Sequence, residues 1–135
     1  MTKRFQFEWD RENKILLMRY LEKRLTDESL AEVYKALREY AIATEPHAAI
    51  MDFTAAIQVD LSTGFIRQLA LEEPAVPHAA KRGRVVVFPS DAGFAIARMF
   101  QTLGVATRPL LHVVRSFDQA LEDFGVDSAQ FEPLP

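Results

Sequence analysis

The chain of 135 residues contains no cysteine, only five glycines and a single tryptophan. Without cysteine there are no disulfides and no thiolate metal sites, so zinc would need histidine and carboxylate alone, and the composition fits a reducing, cytoplasmic compartment. The three histidines, His47, His78 and His112, are widely separated and lack H-x-x-x-H spacing, so a metal site is not expected. The glycines match neither the G-x-G-x-x-G nor the Walker pattern, and no G-x-S-x-G elbow surrounds a serine. No catalytic residue and no cofactor are assigned, and the chain reads as non-enzymatic. Long apolar runs are also missing. From Met1 to Glu8 charge and alternation interrupt the hydrophobics, so neither a signal peptide nor a membrane-spanning helix is expected. A formal net charge of −3 repels polyanions on average and argues against nucleic acid as a partner.

Hydrophobic residues make up 49% of the chain and charged residues 26%, enough for one core without covalent staples. Phe5 to Trp9 and Lys14 to Leu21, separated by the polar cluster Asp10-Arg11-Glu12-Asn13, predict a β-hairpin. After Thr26, a plausible N-cap, the residues Leu30, Val33, Tyr34, Leu37 and Ala41 follow a helical period that Pro46 stops. His47 to Phe53 reads as a strand leading to a polar stretch around Asp60. Leu61, Phe65, Ile66, Leu69 and Ala70 form a second helical face closed by Pro74. Glu72 to Gly83 is expected to be a surface loop, and Arg84 to Phe88 an unalternating strand covered on both faces. Ser90 suits the cap of a third helix ended by a left-handed Gly104, and Leu110 to Arg115 gives a last strand. Ser116 and Gln119 have capping-box spacing for a fourth helix that Gly125 ends.

The predicted fold is therefore α/β, a single domain with a mixed, mostly parallel sheet in which an N-terminal β-hairpin is followed by αβαβαβα. The expected division is a domain over residues 1–126 and a flexible C-terminal tail over 127–135.

This element order resembles that of the STAS superfamily and its SpoIIAA-like branch, the anti-sigma-factor antagonists, and three local sequences carry the resemblance. Ile50-Met51-Asp52-Phe53-Thr54, continuing through Asp60-Leu61-Ser62-Thr63-Gly64-Phe65, is similar to the family's apolar strand, polar turn and Asp-Ser-Ser-Gly-Leu helix opening. The other two are the strand Arg84 to Pro89 and the segment Leu110 to Val126, with Ser116-Phe117-Asp118-Gln119-Ala120-Leu121. The resemblance implies a protein-binding regulatory module whose partner is an anti-sigma-type kinase. It also implies a phosphorylated hydroxyl, at Ser62 in an ungapped register and at Thr63 if Gly64 is aligned, with Asp60 matching the family aspartate. Here the motif is Asp-Leu-Ser-Thr-Gly rather than Asp-Ser-Ser-Gly.

Open α/β sheets gather the loops leaving the carboxyl ends of parallel strands at one edge, where ligands usually bind. That edge would hold Asp52, Thr54, Asp60, Ser62 and Thr63 from one connection and Ser90 from the next, all candidates for partner binding. Serines at such positions also serve as plain helix caps. The basic cluster Lys81, Arg82 and Arg84 is a candidate anion site for a nucleotide phosphate or lipid headgroup, or else a solvated loop. Phe94, Phe100, Phe117, Phe124 and Phe131 suit either core packing or helices that open around an apolar ligand. The alternative function is thus a carrier of a small apolar or phosphorylated ligand. A third, a homodimerising domain, requires one sheet face to be left bare and apolar.

Overall fold

A computed structural model describes residues 3–72 and 82–135. The hairpin forms from β1 (Phe5–Asp10) and β2 (Ile15–Tyr20), antiparallel with Phe7 opposite Met18. Its turn is organised by Asp10, which is buried. Asp10 Oδ1 accepts from the backbone N–H groups of Glu12 and Asn13, and Oδ2 accepts from Asn13 Nδ2 at 2.7 Å. A three-residue strand, β3 (Arg24–Thr26), precedes helix α1 (Asp27–Thr44). Thr26 caps α1: its Oγ1 accepts from Ser29 N, while Ser29 Oγ accepts from Thr26 N, a reciprocal box. At the other end Glu45 precedes Pro46 in the left-handed conformation rather than an extended one, and its N–H returns to Ala41 O.

The remaining elements are β4 (Ala48–Asp52), β5 (Gln58–Asp60), α2 (Thr63–Leu71), β6 (Arg84–Val87), α3 (Asp91–Leu103), β7 (Leu111–Val114), α4 (Phe117–Asp123) and β8 (Glu132–Pro133). Six strands make a mixed sheet ordered β7-β6-β4-β2-β1-β8, and β3 pairs with β5 in a separate two-stranded sheet. Strands β2, β4, β6 and β7 are mutually parallel, and β1 is antiparallel to both β2 and β8. The structure is thus a single α/β domain with four helices among the described residues.

The sheet is buried on both sides, which is why its strands read as nearly continuous apolar runs. Leu16, Met18, Tyr20, Ala49, Met51 and Val86 point toward α1, α2 and α3, where they meet Val33, Leu37, Ile66, Leu69 and Phe100. The alternate residues Ile15, Leu17, Ala48, Ile50, Val85 and Val87 point the other way and pack under Ala120 of α4 and Phe124, its C-cap. These six are fully buried, so the bare apolar face that dimerisation required is not found among the described residues.

Two glycines are required by close approach. A Cβ on Gly93 would lie 2.3 Å from Phe88 Cδ1, so α3 starts hard against that ring. Gly83 has φ +85, and a Cβ there would lie 2.2 Å from Leu110 O. Gly104, expected to be left-handed, instead has φ −101. The left-handed terminus belongs to Gly125 (φ 68), where Val126 N bonds Leu121 O and Gly125 N bonds Glu122 O in a Schellman arrangement.

Two residues of the tail expected to be flexible, Glu132 and Pro133, form the edge strand β8. After α4 the chain runs back across the sheet, where Val126 and Phe131 pack on the α4-side cluster and β8 pairs with β1. Leu134 N bonds Phe7 O, and Tyr40 Oη donates to Pro135 O at 2.6 Å. Apolar contacts of half-buried residues and backbone pairing attach this segment to the sheet. Deleting residues 127–135 is expected to lower the unfolding free energy by about 2–4 kcal/mol in urea titration. An unchanged midpoint would show that the tail contributes nothing.

Candidate functional site

All four helices begin on the side of the sheet where the parallel strands end, and three sets of polar contacts lie there. The first joins α1 to α2. Ser62 caps α2 by accepting from Phe65 N at 3.2 Å. It also donates from its backbone N to Asp27 Oδ1 at 2.9 Å and from Oγ to Asp27 Oδ2 at 2.8 Å. Asp27 is the first residue of α1, so one carboxylate ties two helix starts together. Thr63 is exposed at the first position of α2. Asp60 pairs with Arg24 at 2.7 Å and accepts from Gln58 Nε2, all on the surface.

The second set lies on the α4 face at the carboxyl ends of β2 and β4. Arg19 Nε donates to Glu8 at 2.7 Å, and Nη1 reaches Asp52 at 3.5 Å. The two carboxylate side chains are only 10% and 9% exposed, and Arg19 itself stacks over Phe117. Register produces this cluster, since Arg19 pairs with Asp52 across β2 and β4 and shares a face with Leu17, which lies opposite Glu8. Thr54 closes the β4 turn by donating both its N–H and its Oγ1 to Asp52 Oδ1.

The third set surrounds α3. Ser90 caps it by accepting from Gly93 N at 3.1 Å, and Arg115 donates to Pro89 O and to Asp91 at 2.8 Å while lying 4.0 Å from the Phe94 ring centroid. Asp91 is almost fully exposed, so that ion pair contributes little. Ser116 caps α4 by accepting from Gln119 N. The Gln119 side chain accepts from Arg115 N rather than Ser116 N, so the expected reciprocal box is displaced by one residue.

The basic cluster does not stay together. Lys81 lies outside the described residues, as does most of the connection from Glu72 to Gly83. Arg82 donates to Phe124 O and lies over that ring. Arg84 is buried on the opposite face of the sheet, over Tyr34 and Phe100, with Nη2 donating to Tyr34 Oη at 3.1 Å. Strand alternation gives it the same parity as Val86, so it faces the helices and cannot share an exposed anion contact with Arg82. A second buried arginine, Arg108, terminates α2 by donating to the carbonyls of Leu69, Ala70 and Glu72 at 2.9 to 3.2 Å. Burial, and then the charge of Arg84, lowers the Arg108 pKa from its ordinary value.

Between the helices and the sheet lies an apolar cavity of about 30 Å³, lined by residues including Leu30, Tyr34, Leu61, Ile66, Leu69 and Phe100. That is room for about one water molecule. No group of histidine, aspartate and glutamate suited to a metal ion occurs among the described residues. Nor does any described helix have the length and apolarity to cross a membrane. Comparison with models of known protein families gives no match, and comparison with curated proteins gives none either.

Sequence reasoning placed Asp52, Thr54, Asp60, Ser62, Thr63 and Ser90 on one edge but missed the groups that engage them: Asp27, Arg19, Glu8 and Arg115. Of these, Arg19 has the most to hold, because removing it leaves two buried carboxylates without a cation. Arg19→Met is expected to lower the unfolding free energy by about 2 kcal/mol, and adding Glu8→Gln and Asp52→Asn should return part of that loss. Urea denaturation of the single and triple variants checks both statements. A single variant as stable as the parent would show the cluster to be energetically idle.

Proposed function

We propose that the chain is a non-enzymatic regulatory module of the STAS, anti-sigma-factor-antagonist kind, acting in the cytoplasm by docking a protein partner at the carboxyl edge of its sheet. The observation that carries this reading is the pair of bonds from Ser62 to Asp27. An exposed hydroxyl at the start of α2 is the same group that fastens α2 to the start of α1. A phosphate on Ser62 would add nearly two negative charges against the Asp27 carboxylate and remove the Oγ proton that now bridges them. The helix N-terminus would favour the anion while Asp27 would repel it, so the link between the helices would open. Thr63 offers the second hydroxyl in that turn.

The surroundings suit docking. Ile57, on the loop entering β5, is 72% exposed, and Leu21, after β2, is 47% exposed. Gln58 N bonds Lys23 O, which brings these two segments side by side at the edge that carries Ser62. Apolar anchors beside a modifiable hydroxyl give a partner something to grip and something to sense. The carrier reading has less support, because the one-water cavity between the helices leaves no room for a lipid in this conformation.

An anti-sigma-type kinase is the partner this reading names. The protein is expected to capture such a kinase and be phosphorylated by it on Ser62 or Thr63, with the site located by mass spectrometry of the product. Ser62→Asp or Thr63→Asp should then weaken capture at least about tenfold. Undiminished capture by both variants would remove the switch.

A further inference from the structure

We infer that the end of the sheet opposite the docking edge is a self-association surface, where a second copy of this chain packs against the loop between α3 and β7. The contact is separate from the carboxyl edge and does not rest on the docking reading.

Seven large apolar side chains are exposed among the described residues, and four of them, Leu71, Leu103, Val105 and Leu110, lie where α2 and α3 end. Leu103, Val105 and Leu110 flank or belong to one compact loop. Arg108 N bonds Gly104 O at 2.7 Å, Thr107 N bonds the same oxygen, and Leu111 N bonds Arg108 O. The Arg108 side chain runs inward from this loop to the carbonyls of Leu69, Ala70 and Glu72, which brings Leu71, 86% exposed, beside it. Gly83 closes on Leu110 from the β6 side, so the loop is anchored on two sides while its apolar side chains face outward.

Charge selects the occupant. Charged residues make up 26% of the chain, yet from Gln101 to Val114 the one formally charged side chain is Arg108, which is buried. The ion pair at the end of α2, Arg38 with Glu72 at 2.8 Å, is neutral as a whole. A two-fold contact sets a patch against itself, so net charge in it would meet its own sign, whereas a neutral apolar patch complements its own copy. A lipid surface would call for exposed lysine or arginine among the apolar residues, and this stretch offers none. An added peptide strand fits no better. β7 ends the sheet, but Leu111 O already accepts from Gln101 Nε2 at 2.7 Å and Arg115 N donates to Gln119 Oε1 at 2.8 Å. Both sheet faces are covered, which leaves this end for self-contact. With four side chains at its centre the dimer is weak and reversible. Two copies joined here hold their carboxyl edges at opposite ends of the pair, so both edges stay open.

Sedimentation velocity of the full chain from about 5 to about 200 μM should show a monomer–dimer equilibrium. Val105→Glu and Leu71→Glu should each raise the dimer Kd at least about tenfold, and Ile57→Glu, at the docking edge, should leave it unchanged. Circular dichroism checks that each variant keeps the parent's fold. Val105→Ser replaces either one that does not and should weaken the dimer at least about threefold. Because no charge crosses the contact, Kd should vary less than about threefold between about 50 and 500 mM NaCl. A dimer that survives both glutamates, one that Ile57→Glu dissociates, or one that salt weakens tenfold or more overturns the proposal. So does a parent that stays monomeric throughout; if that monomer cosediments with vesicles of phosphatidylcholine and phosphatidylglycerol at about 7:3, the patch meets a lipid surface instead.

Discussion

Four strands lying side by side in one direction constrain everything else in this molecule. A chain that leaves β2, β4 or β6 at its carboxyl end must travel back before it can enter the next parallel strand, and α1, α2 and α3 make those returns on one face of the sheet. Each helix therefore starts at the same edge, and each start presents unsatisfied N–H groups that need an oxygen. Thr26, Ser62, Ser90 and Ser116 supply it. The concentration of hydroxyls and carboxylates at that edge follows from topology before any function acts on it. What distinguishes Ser62 is that its hydroxyl also reaches a second helix.

The two faces of the sheet are covered in different ways. Three helices cover one face, while the other is closed by the short α4 and by the returning tail with Phe131. Each face also carries buried charge. On the α4 side two carboxylates share one arginine, whereas on the helix side two arginines share an aromatic ring with no described carboxylate. The first arrangement gives each carboxylate the same cation, at a net charge of −1, and has a structural role. The second carries net positive charge into a low-dielectric interior, where the carbonyl end of α2 and the Phe100 ring face it.

Much of the fold was legible in the sequence because its signals are local. The helical stripe of α1, the capping serines and the apolar run of β6 are each contained within a few residues. The short strands β3, β5 and β8 were not legible, since two or three residues carry no measurable period and their pairing depends on partners elsewhere in the chain. Proline made the tail look loose, yet Pro133 sits on an edge strand, where its missing N–H is tolerated. The site was legible only in outline. The bonds from Ser62 to Asp27, from Arg19 to Asp52 and from Arg108 to α2 each join residues more than 30 positions apart, and no spacing rule reaches that far. Arg84 could have been placed, since it has the parity of Val86 and Phe88, but the basic residues beside it made a surface loop the easier reading.

The helix starts converge on one edge of the sheet, and the absence of cysteine makes their separation directly measurable. Thr63 and Asp91 are exposed first residues of α2 and α3, two helices that pack against each other. Spin labels on Thr63→Cys and Asp91→Cys should lie within about 20 Å of each other, given an interaxial spacing of about 8–10 Å plus the label arms. A dipolar separation beyond about 30 Å would place the two starts at opposite ends of the sheet and contradict the shared surface.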